Sequence, residues 1–341
     1  MNVPSFQMPT LSRKSVVLAP DRVRILDRRV FPFRTEFVDC ATVEDVARAV
    51  EEMVTQSSGP FFAASAGMVL AAREAAPRRA DGRLVLMDAA AKRLIATRPT
   101  NNLIAKAVTA MLGEARKLAG DEAFAERIEA GMYNVWEEKQ AGGRQLGENA
   151  AATVGDGDTI LTHCWAEATL IETLAAVLRL GKRVEVICTE TRPYLQGSRL
   201  TAHSVAEMGI PVTVITDNMG AWAMDRGRVG RFMTAADRVT MSGHVINNVG
   251  TLQLAIAAKA YGIPYVAMVQ DPDRAAPGPE AVPIEERDPE ESLHCLGMRT
   301  ATPLARGWYP AFDVTPPHLV HRIATSKGVF APDRLDLHFG T

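Results

Sequence analysis

Residues 155–190 read GDGDTILTHCWAEATLIETLAAVLRLGKRVEVICTE, and this stretch decides the fold class. Residues 159–162 form a short apolar and β-branched run of the kind that builds a buried strand. Over 168–180 the period changes, so that Leu170, Ile171, Leu174, Val177 and Leu178 fall on one helical face, and Gly181 supplies the stop. Residues 184–188 make the next strand. Strand, helix and strand in succession form the unit from which parallel sheets are wound.

Downstream the rhythm repeats. After the loop TETRPYLQG (189–197) come a helix ending near Gly209, a strand over 211–215 and the loop Thr216-Asp217-Asn218. A weaker strand follows over 231–236, then a helix over about 249–261 and a strongly apolar strand over 265–269. Residues 271–291, rich in proline and carboxylates, read as a long surface loop or lid. Upstream, 16–18 and 23–26 read as short strands, and Thr42 to Asp45 as a capping box opening a helix that reaches about Met53. Further helices are expected over 63–74, over 102–118 and from Glu122 to the pair Gly142-Gly143, which reads as a seam. The expected fold class is α/β, with a doubly wound parallel sheet in the C-terminal part.

Composition narrows the function classes. The 341 residues are 47% hydrophobic and 23% charged, as in a globular protein of one large or two ordinary domains. A formal charge of -2 offers no broad basic surface for a phosphate backbone, so nucleic acid is excluded as a partner. Four scattered cysteines without C-x-x-C spacing argue against a zinc site and a disulfide framework, and fit a reducing, cytoplasmic setting. No apolar run approaches the roughly 20 residues that span a bilayer, so no membrane partner is expected. No fixed-period repeat is present, and neither a phosphate-binding loop of the Walker type nor a glycine-rich dinucleotide fingerprint follows the strand at Thr159.

In open parallel sheets, ligands gather beyond the carboxyl ends of the strands. Those ends carry His163-Cys164, Glu190 to Arg192, Asp217-Asn218 and Asp237. Cys164 stands between a strand and a helix N-terminus, a setting that lowers a thiol pKa towards neutrality; the competing reading is a buried structural thiol. Asp237 is the carboxylate expected to face it across the strand ends, a pairing suited to general acid/base work; the competing readings are a helix cap or an ion pair with Arg238. Arg98 and Arg192 are candidate phosphate anchors, because guanidinium matches phosphate geometry.

Taken together, the segments RILDRR, TRPTNNL, GDTILTHC, ETRPYLQGSRLTA, VITDNM, ADRV, NNVGTLQLAIAAKAYGIPYVA, PIEERDPEE and PAFDVTPPHLV resemble the methylthioribose-1-phosphate isomerases. That fold is shared by ribose-1,5-bisphosphate isomerase and by the regulatory subunits of translation initiation factor 2B. The resemblance runs over roughly residues 23–332. It implies a mostly helical N-terminal domain (1–145) and a Rossmann-like catalytic domain (146–341), a homodimer, and neither metal nor organic cofactor. The implied activity is aldose–ketose isomerisation of a small sugar phosphate, with Cys164 and Asp237 as the acid/base pair. Arg98, Gln196, Asn247 and the loop after Cys164 match positions that hold the sugar phosphate.

Three segments depart from the family pattern. V-R-G-A-P stands here as TQSSGP (55–60), so Ser57, followed by Ser58 and Gly59, takes the place of an arginine. T-H-C-N-A-G stands as THCWAE (162–167), bringing in Trp165 and Glu167, and N-K-I-G-T stands as NNVGT (247–251), with Asn248 for a lysine. A carboxylate at Glu167 repels phosphate. The anion cradle is therefore less positive and bulkier, and the expected substrate differs from methylthioribose 1-phosphate itself. Two further readings remain open: a non-catalytic subunit that senses a sugar phosphate or nucleotide or serves assembly, and an enzyme in which Trp165 stacks on a larger or unphosphorylated ligand.

Overall fold

The computed structural model describes residues 6–98 and 102–340. Residues 99–101, within TRPTNNL, lie outside them. Two compact units are present, Thr10–Ala141 and Gly142–Thr341, the latter joined by the few described residues before Thr10.

The N-terminal unit begins with α1 (Thr10–Lys14) and an antiparallel sheet of β1 (Val16–Leu18), β2 (Val23–Leu26) and β3 (Phe37–Cys40). Next come α2 (Val43–Glu51), α3 (Gly59–Ala75), α4 (Ala80–Ala96), α5 (Asn102–Leu118) and α6 (Phe124–Ala151). The expected capping box opens α2: the Thr42 hydroxyl accepts from the Asp45 N–H at 3.1 Å and the Asp45 carboxylate from the Thr42 N–H at 3.0 Å. Helix α3, GPFFAASAGMVLAAREA, is apolar on nearly every side, so it is stable only at the centre of a bundle. It packs against α2, α4 and α5 around Met68, Val69, Leu94, Val108 and Met111.

Helix α6 does not stop at Gly142-Gly143 but runs through to Ala151. The glycines serve close packing there. A Cβ on Gly142 would meet the Gln270 side chain at 1.8 Å, and one on Gly147 the Glu172 backbone at 2.5 Å. Small residues that let neighbouring segments approach thus gave the sequence the look of a helix end.

The C-terminal unit is built on a seven-stranded sheet. Its strands are β4 (Thr159–Thr162), β5 (Glu185–Thr189), β6 (Val212–Ile215), β7 (Arg231–Ala235), β10 (Tyr265–Met268), β14 (Arg322–Thr325) and β15 (Gly328–Phe330), in the order β15-β14-β10-β7-β4-β5-β6. All neighbours are parallel except β14 and β15. The crossovers carry α7 (Glu167–Arg179), α8 (Ala202–Glu207), α9 (Gly220–Asp225) and α10 (Thr251–Ala260). The chain winds outward from β4 to β6 and then returns to start β7 on the other side of β4, so the strand order reverses between β4 and β7.

Between β7 and β14 the chain adds a small antiparallel sheet of β8 (Arg238–Val239), β9 (Val245–Asn248) and β13 (Phe312–Thr315) and the hairpin of β11 (His294–Cys295) and β12 (Met298–Arg299). The short helix α11 (Glu290–Leu293) precedes that hairpin. The segment expected as a surface loop or lid is anchored: Ala276, Val282 and Ile284 pack with Ile246, Phe312 and Val314 in a core of their own. Among the described residues, no helix is long and apolar enough to cross a membrane.

Candidate active site

A doubly wound sheet opens a crevice where its strand order reverses, because the two flanking crossovers leave on opposite faces. Here that point lies between β4 and β7, which pair in parallel through Ile160 and Arg231 and through Leu161 and Phe232. Cys164 follows β4 and Asp237 follows β7, so both stand at the carboxyl rim of adjacent strands. Asp237 is exposed and lies just before β8, not at a helix cap. Arg238 pairs with Asp273 at 3.4 Å.

The turn after β4 is held from several sides. Cys164 sits in the left-handed region (φ 64°), its N–H donating to Thr191 Oγ1 at 3.0 Å and its carbonyl accepting from Thr201 Oγ1 at 2.6 Å. The 191–201 strap therefore wraps the thiol. The strap is fixed in turn by Asp217, whose carboxylate accepts from the Thr191 and Arg192 N–H groups at 2.8 Å each. Gly197 is required within it, since a Cβ there would lie 1.8 Å from the Thr189 carbonyl.

His163 is buried, with Nδ1 2.6 Å from Thr189 Oγ1 and Nε2 2.9 Å from the Val249 carbonyl. A carbonyl can only accept, so the proton resides on Nε2 and Nδ1 accepts from the threonine. Burial holds the imidazole below its usual pKa, against the pull of Asp217. His163 is thus a neutral tie between turns.

The expectation of an activated thiol is overturned. Burial pushes Cys164 up to about 12; the Trp165 N–H and the Arg287 guanidinium favour the thiolate but do not offset the desolvation, and Asp217 opposes them. A helix N-terminus lowers a thiol pKa only where solvent or counter-charge supports the anion. Cys164 is accordingly protonated in its resting state.

Arg287, left unassigned within PIEERDPEE, is the ionisable group that sequence reading missed. Its side chain is 13% exposed, pairs with Glu285 at 3.1 Å, and lies 5.5 Å and 5.9 Å from the ring centroids of Tyr194 and Tyr309. The signal available was a lone arginine among carboxylates and prolines. Arg192, by contrast, is not a phosphate anchor in this structure: its guanidinium donates to the carbonyls of His294 at 2.8 Å, Ser292 and Pro193.

The remaining expected residues fall into two groups. Trp165 lies in the loop after β4, Glu167 in the first turn of α7 and Gln196 in the loop after β5, while Asn247 and Asn248 end strand β9. Asn247 Nδ2 donates to Thr251 Oγ1 at 3.0 Å, which itself donates to the Asn248 carbonyl. Asp313 on β13 caps α10, Oδ2 accepting from Gly250 N–H at 2.7 Å and Leu252 N–H at 3.0 Å. Ser57, Ser58, Gly59 and Arg98 belong to the N-terminal unit. There the buried Arg28 donates to the Gln56 carbonyl at 2.6 Å and to Ser15 Oγ at 3.0 Å, fixing the turn before α3. A Cβ on Gly59 would lie 1.9 Å from Thr55 Oγ1, so the turn admits no larger residue without rearranging. Among the described residues, no group of three or more His, Cys, Asp or Glu side chains is placed to hold a metal ion.

Comparison with known proteins places this geometry in context. The family model described as "Initiation factor 2 subunit family" matches residues 57–332. A protein of Thermosipho melanesiensis named methylthioribose-1-phosphate isomerase is 36% identical over 322 residues, 92% of this chain and 93% of its own. The crystal structure of 5-methylthioribose 1-phosphate isomerase from Pyrococcus horikoshii OT3 superimposes with a TM-score of 0.89 at 28% identity, covering 99% of both chains. That of translation initiation factor eIF-2B, subunit delta, from A. fulgidus gives 0.82 at 31% identity, covering 93% of this chain and 96% of the other.

Proposed function

The chain belongs to the initiation factor 2 subunit family, and from that premise we propose that it is an aldose–ketose isomerase acting on a small sugar phosphate of the methylthioribose 1-phosphate type. The observation that carries the reading is the seat of Cys164 and Asp237 at the carboxyl ends of adjacent parallel strands, where the strand order reverses. A neutral, buried thiol and an exposed carboxylate after adjacent strands suit acid/base catalysis, which needs one group to hold a proton and another to take one.

In this reading Cys164 gives its proton to the ring oxygen as the bond from that oxygen to C1 breaks. Asp237 takes the proton of the C2 hydroxyl as that oxygen becomes a carbonyl, and the hydrogen on C2 passes to C1. The thiolate left behind is strongly basic and recovers a proton from Asp237, restoring both groups. Arg287, whose charge favours the thiolate, stabilises it between these steps. Gln196, Asn247, Asn248, Trp165 and Glu167 are assigned to the substrate, and Ser57, Ser58, Gly59 and Arg98 as the resemblance assigns them. The protein works in the cytoplasm as a homodimer.

A panel of pentose 1-phosphates followed by NMR tests the reading. Turnover of at least one sugar, lost in Cys164→Ser and in Asp237→Asn, is expected; no turnover of any would end it. Similarity to the A. fulgidus initiation-factor subunit favours the second reading, a non-catalytic sensing or assembly subunit, for which metabolite binding without chemistry is the expected result.

A further inference from the structure

Asp313 lies on β13 directly across from Asn247 of β9, and its carboxylate meets the start of α10. Oδ2 accepts the Gly250 N–H at 2.7 Å and the Leu252 N–H at 3.0 Å. Oδ1 is buried and has no hydrogen-bond partner among the described residues, so the carboxylate depends on those two N–H groups.

A single peptide bond stands between this carboxylate and His163. The Gly250 N–H is held by Asp313, while the Val249 carbonyl, the other polar group of the same bond, accepts from His163 Nε2 at 2.9 Å. The bond is trans, so its N–H and C=O point in opposite directions and one cannot turn without the other. The peptide before it is held separately, the Val249 N–H donating to the Ala311 carbonyl at 3.1 Å, which leaves the 249–250 bond as the joint. Gly250 itself does not resist a flip at that joint: its φ is 110°, and glycine takes negative φ as readily. A flipped peptide would take the acceptor away from His163 and aim the carbonyl oxygen at the Asp313 carboxylate, where two acceptors repel. His163 directly precedes Cys164, so the orientation of this one peptide bears on the turn that carries the thiol.

We propose that Asp313 is a positioning residue: it locks the Val249–Gly250 peptide in the orientation that His163 binds, and through His163 holds the turn of Cys164 in register with the turn that follows Asn247. The inference rests on the isomerase reading only for its consequence in turnover. The lock itself belongs to the chain without substrate.

The test uses the full chain at pH 8, where the Asp313 carboxyl, raised to about 6, is ionised. Asp313→Ala removes the lock, and Asp313→Asn keeps an oxygen for both N–H groups. Alkylation by iodoacetamide, followed by mass spectrometry, reads Cys164 against Cys188, a second buried thiol in the same unit. In Asp313→Ala, labelling of Cys164 should rise about tenfold or more with Cys188 unchanged, because the opening is local; in Asp313→Asn both should keep the parental rate. Proton NMR should find the His163 Nε2–H sheltered from exchange with water in the parent and the Asn variant, and lost in the Ala variant. No rise at Cys164, or a retained His163 resonance, overturns the lock; so does an equal rise at Cys164 and Cys188, which would mean general loosening. On whichever pentose 1-phosphate is turned over, Asp313→Ala should lower kcat by about tenfold to a hundredfold and Asp313→Asn by less than about threefold. A released Cys164 with parental kcat overturns the role in the reaction. If no sugar is turned over while labelling follows the expected pattern, the isomerase reading falls and the lock stands. Should Asp313→Ala fail to fold, Asp313→Ser, whose hydroxyl falls one bond short of the carboxylate oxygens, decides by the same readouts.

Discussion

The Nε2 proton of His163 points at the carbonyl of Val249, 2.9 Å away, and so ties the turn that carries Cys164 to the entry of helix α10. Gly250, the next residue, has φ 110°, and a Cβ there would lie 2.9 Å from the imidazole. The histidine is a structural link whose protonation would break one of its two bonds, because Nδ1 could no longer accept from Thr189.

This link sets a pH dependence of stability. The folded pKa of His163 is depressed by burial below its usual 6.5, so the unfolded chain takes up a proton before the folded one does. Stability from this group is complete above about pH 6.5 and falls as the solution is acidified towards the folded pKa. Unfolding midpoints in urea between pH 5 and 8 should show the fall, and His163→Gln should be less stable at pH 8 by about 1–3 kcal/mol with a flatter acid limb. A midpoint independent of pH in the parent would contradict the assignment.

Asp313 has the opposite sign. Burial raises its carboxyl to about 6 although the Gly250 and Leu252 N–H groups pull it down. A raised carboxyl favours the fold at low pH, with its contribution fully present below about 4 and lost as pH rises through 6. Asp313→Asn keeps an oxygen for both N–H groups without the buried charge, and it should therefore match or exceed the parent in stability at pH 8. Asp313→Ala removes the cap and should cost about 1–2 kcal/mol. Thermal melts of the three proteins at pH 5 and pH 8 decide; an Asn variant as damaged as the Ala variant would show that the charge is needed.

The protonated resting state of Cys164 can be read by alkylation. With its thiol pushed up to about 12 and 6% of its surface exposed, Cys164 should resist iodoacetamide at pH 8, while the half-exposed Cys295 is modified first. Mass spectrometry of timed samples would reveal early labelling at Cys164 if the thiol were instead activated. In the isomerase assay, Cys164→Ser and Asp237→Asn are each expected to lower kcat by about 10²–10⁴ with unchanged circular dichroism.

Gly197→Ala addresses the strap. Its new methyl would overlap the Thr189 carbonyl at 1.8 Å and crowd Thr191 Oγ1 at 2.9 Å, the hydroxyl that accepts the Cys164 N–H. Loss of about 2–4 kcal/mol in stability is expected, as for other forced overpacking of a buried backbone, together with loss of turnover. A variant of normal stability and activity would mean that the strap does not position the thiol.

What could be read locally was read well where the pattern was strong. The period of Leu170, Ile171, Leu174 and Val177 marks α7 because those side chains face the sheet, and Thr42 with Asp45 marks the start of α2 because the box closes within four residues. Helix α4 (Ala80–Ala96) escaped notice, since the face it buries includes Ala90 and Ala91 and contrasts little with its surroundings. The strands β8, β9 and β13 escaped because each is short, and β13 finds its partner β9 far back along the chain.

The sequence by itself determined the alternation of strands and helices and the family to which the chain belongs, because both are written in residues close to one another along the chain. Only the tertiary structure decided which groups share an environment. That β7 lies beside β4, that Asp313 reaches the N-terminus of α10, that Arg287 acts on Cys164, and that burial keeps this thiol protonated all depend on segments tens of residues apart. The free energy of a charge is set by the solvent and dipoles around it, and those are fixed when distant segments pack.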